Sequence, residues 1–118
     1  FGVVYLQLIL GAALRHTHQY PALHIINAFF VLIHILLTCS RISRFYAPDP
    51  LLRRLGGLLS ILTLVQILLG AGAFIFRHVL EQGYAPTKTA VFFTSAHQTV
   101  GALILGSIAL ICLAIHRR

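Results

Sequence analysis

QLILGA at residues 7–12 returns almost unchanged as QILLGA at residues 66–71, and this repeat predicts a fold made of two similar halves. An Arg-His pair follows each copy within a few residues, at positions 15–16 and 77–78. After each pair comes an apolar run with a histidine inside it, PALHIINA in one case and SAHQTVGA in the other. The chain therefore carries two copies of one pattern of apolar, basic and imidazole side chains.

The composition predicts a chain that lies in lipid. Hydrophobic residues make up 58% of the 118 residues and charged residues only 9%, with a mean hydropathy of +0.91. Soluble domains carry about a quarter charged residues, so this chain could not cover its surface in water. We predict an integral membrane protein with a single domain over residues 1–118. Because methionine is absent and Phe1 already lies in an apolar run, we expect a fragment or one half of a larger protein.

Four apolar segments follow one another along the chain. They run from the start to about Leu14, from Pro21 to about Ser40, from about Leu55 to Phe76, and from about Thr89 to Ile115. A membrane-spanning helix needs ~20 residues, and no segment alternates polar and apolar residues as a barrel strand does. The sequence predicts an all-α membrane protein, a bundle of four transmembrane helices.

The basic residues indicate orientation in a membrane and no nucleic-acid partner. The formal charge is +7, but the basic residues flank apolar segments without a polar, aromatic-bearing surface. Six lie in the predicted loop between the second and third segments, which contains the turn YAPDP (46–50), and at the C-terminus, and three lie on the other side: Arg41, Arg44, Arg53, Arg54, Arg117 and Arg118 against Arg15, Arg77 and Lys88. The richer side faces the cytoplasm or an equivalent inner compartment. We expect the C-terminus inside, in a bacterial or archaeal plasma membrane or a mitochondrial inner membrane.

The repeat gives the two histidines equivalent places. The segments with the QxxLGA phrase leave the membrane on the outer side and the next segments re-enter there, which predicts two helical hairpins related by a pseudo-twofold axis. His24 and His97 then face each other inside a bundle, where such folds build cofactor sites. Two neutral imidazoles suit a six-coordinate heme iron. We predict that both ligate heme iron, while Gly11 and Gly70 leave room for the macrocycle or let helices pack closely.

Other polar residues support this site or have simpler roles. The outer cations Arg15 and Arg77, with Lys88, are expected to bind the heme propionates, unless they only extend to the lipid headgroups. A single intramembrane histidine can equally serve to hydrogen-bond a neighbouring helix. His34 is interpreted as a satisfied polar residue and not as a ligand, because no second histidine matches its depth.

Two further groups of polar residues have an interpretation that does not involve heme. His16 and His18 could bind zinc, but no acidic or cysteine side chain accompanies them. Gln7 and Gln66 of the repeated phrase are expected to make hydrogen bonds between helices.

The order of four stretches resembles one half of heme A synthase: LQLILGAALRHT, HIINA, VQILLGAG and SAHQTVGALIL, which together cover essentially the whole chain. In that family each half is a four-helix bundle with a histidine on its second and fourth helices, and His24 and His97 match those axial positions. One half holds the reaction site, where a methyl group of heme O is oxidised to the formyl group of heme A for terminal oxidases. The other half holds a heme b.

The departures from this family favour the half that binds heme b. The catalytic half typically has a glutamate three residues before the first ligand histidine, and Pro21 stands there in this chain. It also often has a long outer loop with a cysteine pair, where this chain has only RHTHQY. The two acidic residues, Asp49 and Glu81, lie outside the apolar segments, so no general base for the oxidation is visible. The resemblance implies heme b as the cofactor and leaves open whether the chain is an enzyme.

Two classes of function follow. The first is a heme b protein in heme A biosynthesis or respiratory electron transfer, as a homo-oligomer, with a second four-helix half, or with a terminal oxidase or other respiratory complex. The second is a non-catalytic structural subunit that keeps the fold without heme. A transporter is disfavoured, because no helix is broken at the midplane and His34 alone would have to carry the pathway.

Overall fold

The computed structural model describes residues 1–17, 19, 21–80 and 85–117, and these residues are almost entirely helical. The helices are α1 (Gly2–Thr17), α2 (Pro21–Phe45), α3 (Pro50–Phe74) and α4 (Lys88–His116). α3 continues directly into a π-helix, Ile75–Leu80. The described residues form no strand, which confirms the prediction of an all-α protein.

Three helical stretches are long and apolar enough to cross a membrane. They are Pro21–Phe45, Pro50–Leu80 and Lys88–His116, with 25, 31 and 29 residues. α1 has 16 residues, fewer than the ~20 that a span needs. Many large apolar side chains point outward, and Phe29 and Ile61 are each 64% exposed. Apolar surface on this scale needs a cover other than water, so the helices are consistent with an integral membrane protein.

The turn between α2 and α3 lies where YAPDP predicts it. Pro50 takes the first helical position, where a missing N–H costs little. The Asp49 carboxylate caps α3 by accepting a hydrogen bond from the Leu52 N–H at 2.9 Å. Both helices therefore extend beyond the apolar segments, and four arginines expected in a loop lie in helical turns instead: Arg41, Arg44, Arg53 and Arg54.

Each of the four α-helices packs against two of the other three. α1 packs against α2 and α4, and α3 packs against the same two helices. Within the described residues, α2 makes no close backbone contact with α4, nor α1 with α3. Side chains that α2 and α4 turn inward therefore meet across the middle of the molecule. Between this middle and the α2–α3 turn lies a buried apolar cluster: Val4, Ile35, Ile42, Leu52, Leu59, Ile104, Ile108 and Ile111.

Candidate functional site

His24 of α2 and His97 of α4 meet across the middle of the molecule. Their ring centroids are 6.2 Å apart, and the ring planes make an angle of 77°. A ligating imidazole nitrogen lies about 2 Å from its metal, so two rings on opposite sides of one metal have centres roughly 6 Å apart. The two histidines that the repeat makes equivalent thus have a separation compatible with one shared metal.

Gly11 and Gly70 make room for these two imidazoles. A Cβ built at position 11 would lie 3.1 Å from His24 Cε1, and one at position 70 would lie 2.8 Å from His97 Cε1. Carbon atoms in favourable contact are about 3.5–4.0 Å apart, so any side chain here would push the ring away. Each glycine therefore lets the neighbouring helix bring its imidazole close, and room for a macrocycle beside either glycine stays a prediction.

Gln7 of α1 holds the helix that carries the first histidine. Its Nε2 donates a hydrogen bond to the His24 backbone carbonyl at 3.0 Å and lies 3.3 Å from His24 Nε2. Its Oε1 accepts a hydrogen bond from Asn27 Nδ2 at 2.7 Å. Gln7 therefore makes the hydrogen bond between helices that the sequence predicts, with the histidine itself among its partners.

Gln66 of α3 makes the corresponding contact with α4. His97 Nδ1 lies 3.1 Å from the backbone carbonyl oxygen of Gln66, and the side-chain Nε2 of Gln66 lies 3.4 Å from His97 Nε2. A ring nitrogen that faces a carbonyl donates, so the hydrogen-bond pattern assigns the proton to Nδ1 and a lone pair to Nε2. Hydrogen bonds from N–H groups usually span about 2.7–3.2 Å. The Nε2 of His97, like that of His24, is therefore held only weakly by its glutamine.

Asn27 belongs to the site although the sequence does not predict it. Its Nδ2 donates to Gln7 Oε1 and, at 3.3 Å, to a backbone carbonyl of α1, so it joins α1 to α2 beside the histidine. The repeat gives no signal for it, because the second copy has no asparagine at the equivalent position. Asn27 follows His24 by three residues, and the residue three after His97 is Val100.

The two Gln–His pairs consequently differ in their unpaired polar atoms. Gln66 Oε1 is buried without a hydrogen bond to any described residue, and the counterpart of Asn27 on its side is Val100, which has no donor. His24 Nδ1 is also buried and unpaired within the described part of the chain. A buried polar atom without a partner costs about 1–3 kcal/mol. The protein alone therefore leaves both sides of this site incompletely satisfied.

A Val100→Asn substitution tests the difference between the two pairs. The new Nδ2 would donate to Gln66 Oε1, as Asn27 does to Gln7, so we expect an unchanged or higher melting temperature in detergent micelles. The control is Val31→Asn, a second partly buried valine at the core. It lies seven residues from His24 and should lose about 1–3 kcal/mol of unfolding free energy. Equal losses in the two variants would contradict the assignment of Gln66 Oε1 as an unpaired acceptor.

Of the predicted basic residues, Arg15 has a direct contact beside the site. Its guanidinium donates a hydrogen bond to the side-chain oxygen of Gln98 on α4, next to His97 in the sequence. Arg77 is half-buried in the π-helix, seven residues beyond Gly70. π-Helical turns are frequent at functional sites, and the sequence does not predict this one. Both arginines lie at the end of the molecule that carries the two histidines.

His34 and His16 are exposed and do not belong to this pair. His34 is exposed on α2, and its Nδ1 lies 2.7 Å from the Phe30 carbonyl oxygen of the same helix. His16 is exposed in the last turn of α1, and its predicted zinc partner His18 lies outside the described residues. No group of three or more His, Cys, Asp or Glu side chains forms within the described ranges. Glu81 and Arg118 also lie outside the described residues.

Comparison with known proteins finds no relative of this chain. No protein-family model matches it, and no curated protein or solved structure matches it. The resemblance to heme A synthase stays a prediction, and the function is inferred from the site.

Proposed function

We propose that the chain is a heme-binding integral membrane protein, with His24 and His97 as the two axial ligands of a b-type heme. The observation that carries the proposal is the meeting of two imidazoles, 6.2 Å apart between centroids, from positions that a sequence repeat makes equivalent. Axial ligation by two histidines requires no third protein ligand. A bound heme supplies one-electron chemistry between ferric and ferrous iron.

The surroundings of the two histidines fit this cofactor. With its Nδ1 proton donated to the Gln66 carbonyl, His97 presents an Nε2 lone pair, which is the arrangement that orients ligand histidines in metal sites. The glutamine contacts of the two Nε2 atoms, at 3.3 and 3.4 Å, are weak enough to be replaced by iron. Arg15, beside α4, would pair with one propionate and Arg77 with the other.

The proposed architecture is a four-helix transmembrane bundle made of two hairpins, α1–α2 and α3–α4, related by a pseudo-twofold axis along the membrane normal. Its support is that the Gln7–His24 and Gln66–His97 contacts recur at similar distances, each with a glycine against the imidazole. α1 counts as the fourth membrane helix because it packs on α2 and α4. The excess of arginines around the α2–α3 turn favours an inner location for that turn and the C-terminus.

Among heme A synthase activities, the role of the heme b half fits this chain better than that of the catalytic half. Pro21 begins α2 three residues before His24. Asp49, the one acidic side chain of the described residues, caps α3 at the opposite end. Neither offers a base near the histidines for oxidation of a methyl group. The proposed role is to hold a heme b in heme A biosynthesis or respiratory electron transfer, with a second copy, a second four-helix half or a respiratory complex such as a terminal oxidase as partner.

The experiment that tests this proposal is a dithionite-reduced minus oxidised visible spectrum of protein purified in mild detergent from cells supplied with heme precursor. A pyridine hemochrome assay identifies the heme, and we expect a low-spin b-type spectrum. Heme O or heme A in the extract would instead favour a catalytic role. A colourless protein whose circular dichroism is still helical would contradict heme binding and leave the structural subunit that keeps the fold without heme.

A further inference from the structure

A groove lies at the opposite end of the molecule from the histidines. It opens between the start of α3 and the end of α4 and has a volume of ≈ 460 Å³. Small-ligand sites span about 300–1,000 Å³, so the groove is large enough for a small molecule or for one segment of a larger one. The described residues that line it are Leu51, Leu55, Leu110, Leu113, Ala114 and Arg117.

Each wall of the groove is one face of a helix. On α4 the lining residues recur at the spacing i, i+3, i+4 and i+7 from Leu110 to Arg117, which places them on one side. On α3, Leu51 and Leu55 have the spacing i and i+4, and Arg54 follows Leu51 by three residues on the adjoining part of that face. Two leucine stripes of antiparallel helices therefore run side by side. Arg117 lines the groove with them, and the helical spacing places Arg54 at its α3 edge, outside the lining residues.

The groove is apolar along its walls and basic where the helices end. Three of its leucines are between 52% and 54% exposed, so they form an outer surface rather than a closed core. Arg117 directly follows α4, and Arg54 is the fifth residue of α3. The acidic residue at this end, Asp49, is engaged as the cap of α3. A ligand of matching chemistry has an apolar chain and an anionic head.

We propose that this groove binds an anionic phospholipid of the surrounding bilayer, with an acyl chain along the leucines and the headgroup phosphate at Arg54 and Arg117. Guanidinium groups form paired, charge-assisted hydrogen bonds with phosphate, and basic pockets between membrane helices bind anionic headgroups in this way. A zwitterionic lipid has no net charge to match the two cations. A peptide strand in the groove would leave backbone polar groups facing lipid.

Spin-labelled phosphatidylglycerol in phosphatidylcholine nanodiscs that hold the purified protein is the probe. The motionally restricted part of its electron paramagnetic resonance spectrum reports lipid held by the protein. The double variant Arg54→Gln/Arg117→Gln is expected to lower the relative affinity for this lipid about 25-fold, or roughly fivefold for each arginine. The matched control, Arg41→Gln/Arg44→Gln, removes the same charge from α2 at the same end but outside the groove, and should bind nearly as well as wild type.

A second variant pair tests the groove without a change of charge. Leu110→Trp fills the groove and should weaken binding, while Leu103→Trp should not. The two leucines are matched, since they are 54% and 53% exposed and lie two turns apart on one face of α4. The proposal is overturned if both arginine pairs lose binding equally, or if Leu110→Trp has no effect. It is also overturned if inorganic phosphate, at matched ionic strength, displaces the probe as well as unlabelled phosphatidylglycerol does. No heme signal enters this measurement, so it and the heme proposal fail independently.

Discussion

An alanine at position 24 or at position 97 is expected to abolish the low-spin b-type spectrum of the reduced protein. Either substitution removes one of the two imidazoles whose centroids lie 6.2 Å apart. Iron that keeps a single axial imidazole loses the six-coordinate, bis-histidine state, and heme held by one ligand dissociates more readily. The reduced-minus-oxidised spectrum and the heme content per protein, both taken on His24→Ala and His97→Ala, measure this loss.

Free imidazole distinguishes loss of a ligand from loss of the fold. His24→Gly and His97→Gly leave a gap the size of the ring between the helices, and excess imidazole in the buffer is expected to fill it and restore the low-spin spectrum. His34→Ala is the control, because this exposed histidine contacts the Phe30 carbonyl of its own helix and should keep the spectrum. A low-spin spectrum that survives in either His24 or His97 variant would refute ligation by this pair.

The sequence predicts the all-α class, three of the four expected spanning helices and the central pair of the site, because these depend on patterns that recur along the chain. Lipid requires each spanning helix to be apolar along its length, so hydropathy alone indicates α2, α3 and α4. The repeat fixes the register within each Gln–His pair, so Gln7 meets His24 as Gln66 meets His97. Charged residues lower the hydropathy at the ends of a helix, so a hydropathy pattern stops short of the true helix ends. For this reason the sequence predicts a loop at the arginines that lie in the last turns of α2 and the first turns of α3.

The features that the sequence does not predict depend on contacts between helices or on differences between the two copies. The role of Asn27 depends on α1, which brings Gln7 Oε1 within 2.7 Å of Asn27 Nδ2. The equivalent residue of the second copy is Val100, so the repeat does not mark Asn27 as a site residue. The π-helix in IFRHVL changes the hydrogen-bond pattern without a change in composition. The contact of Gly70 with an imidazole depends on how α4 is rotated, which the packing of α3 and α4 sets.

Gly70→Ala is the most damaging small substitution that the site offers, with an expected loss of about 10–100-fold in heme affinity. The new Cβ would lie 2.8 Å from His97 Cε1 and 3.2 Å from its Nδ1, so the ring must turn. Turning moves Nδ1 away from the Gln66 carbonyl, the acceptor that orients the ring at 3.1 Å. Alanine in place of glycine favours a helix interior by about 0.5–1 kcal/mol. A weaker titration of apoprotein with heme, at an unchanged or higher helix content, is therefore the expected result.

Two other glycines complete a graded series with Gly70→Ala. Gly11→Ala brings a Cβ to 3.1 Å from His24 Cε1, and His24 Nδ1 has no hydrogen bond to lose within the described residues, so its effect should be smaller. Gly106→Ala meets no atom within 4 Å and should bind heme as the wild type does. The dissociation constant for heme is expected to be highest for Gly70→Ala, lower for Gly11→Ala and lowest for Gly106→Ala. If all three variants bind heme as the wild type does, the orientation that Gly70 permits for His97 is not the one that binds iron, and the ligand geometry proposed for this pair is wrong.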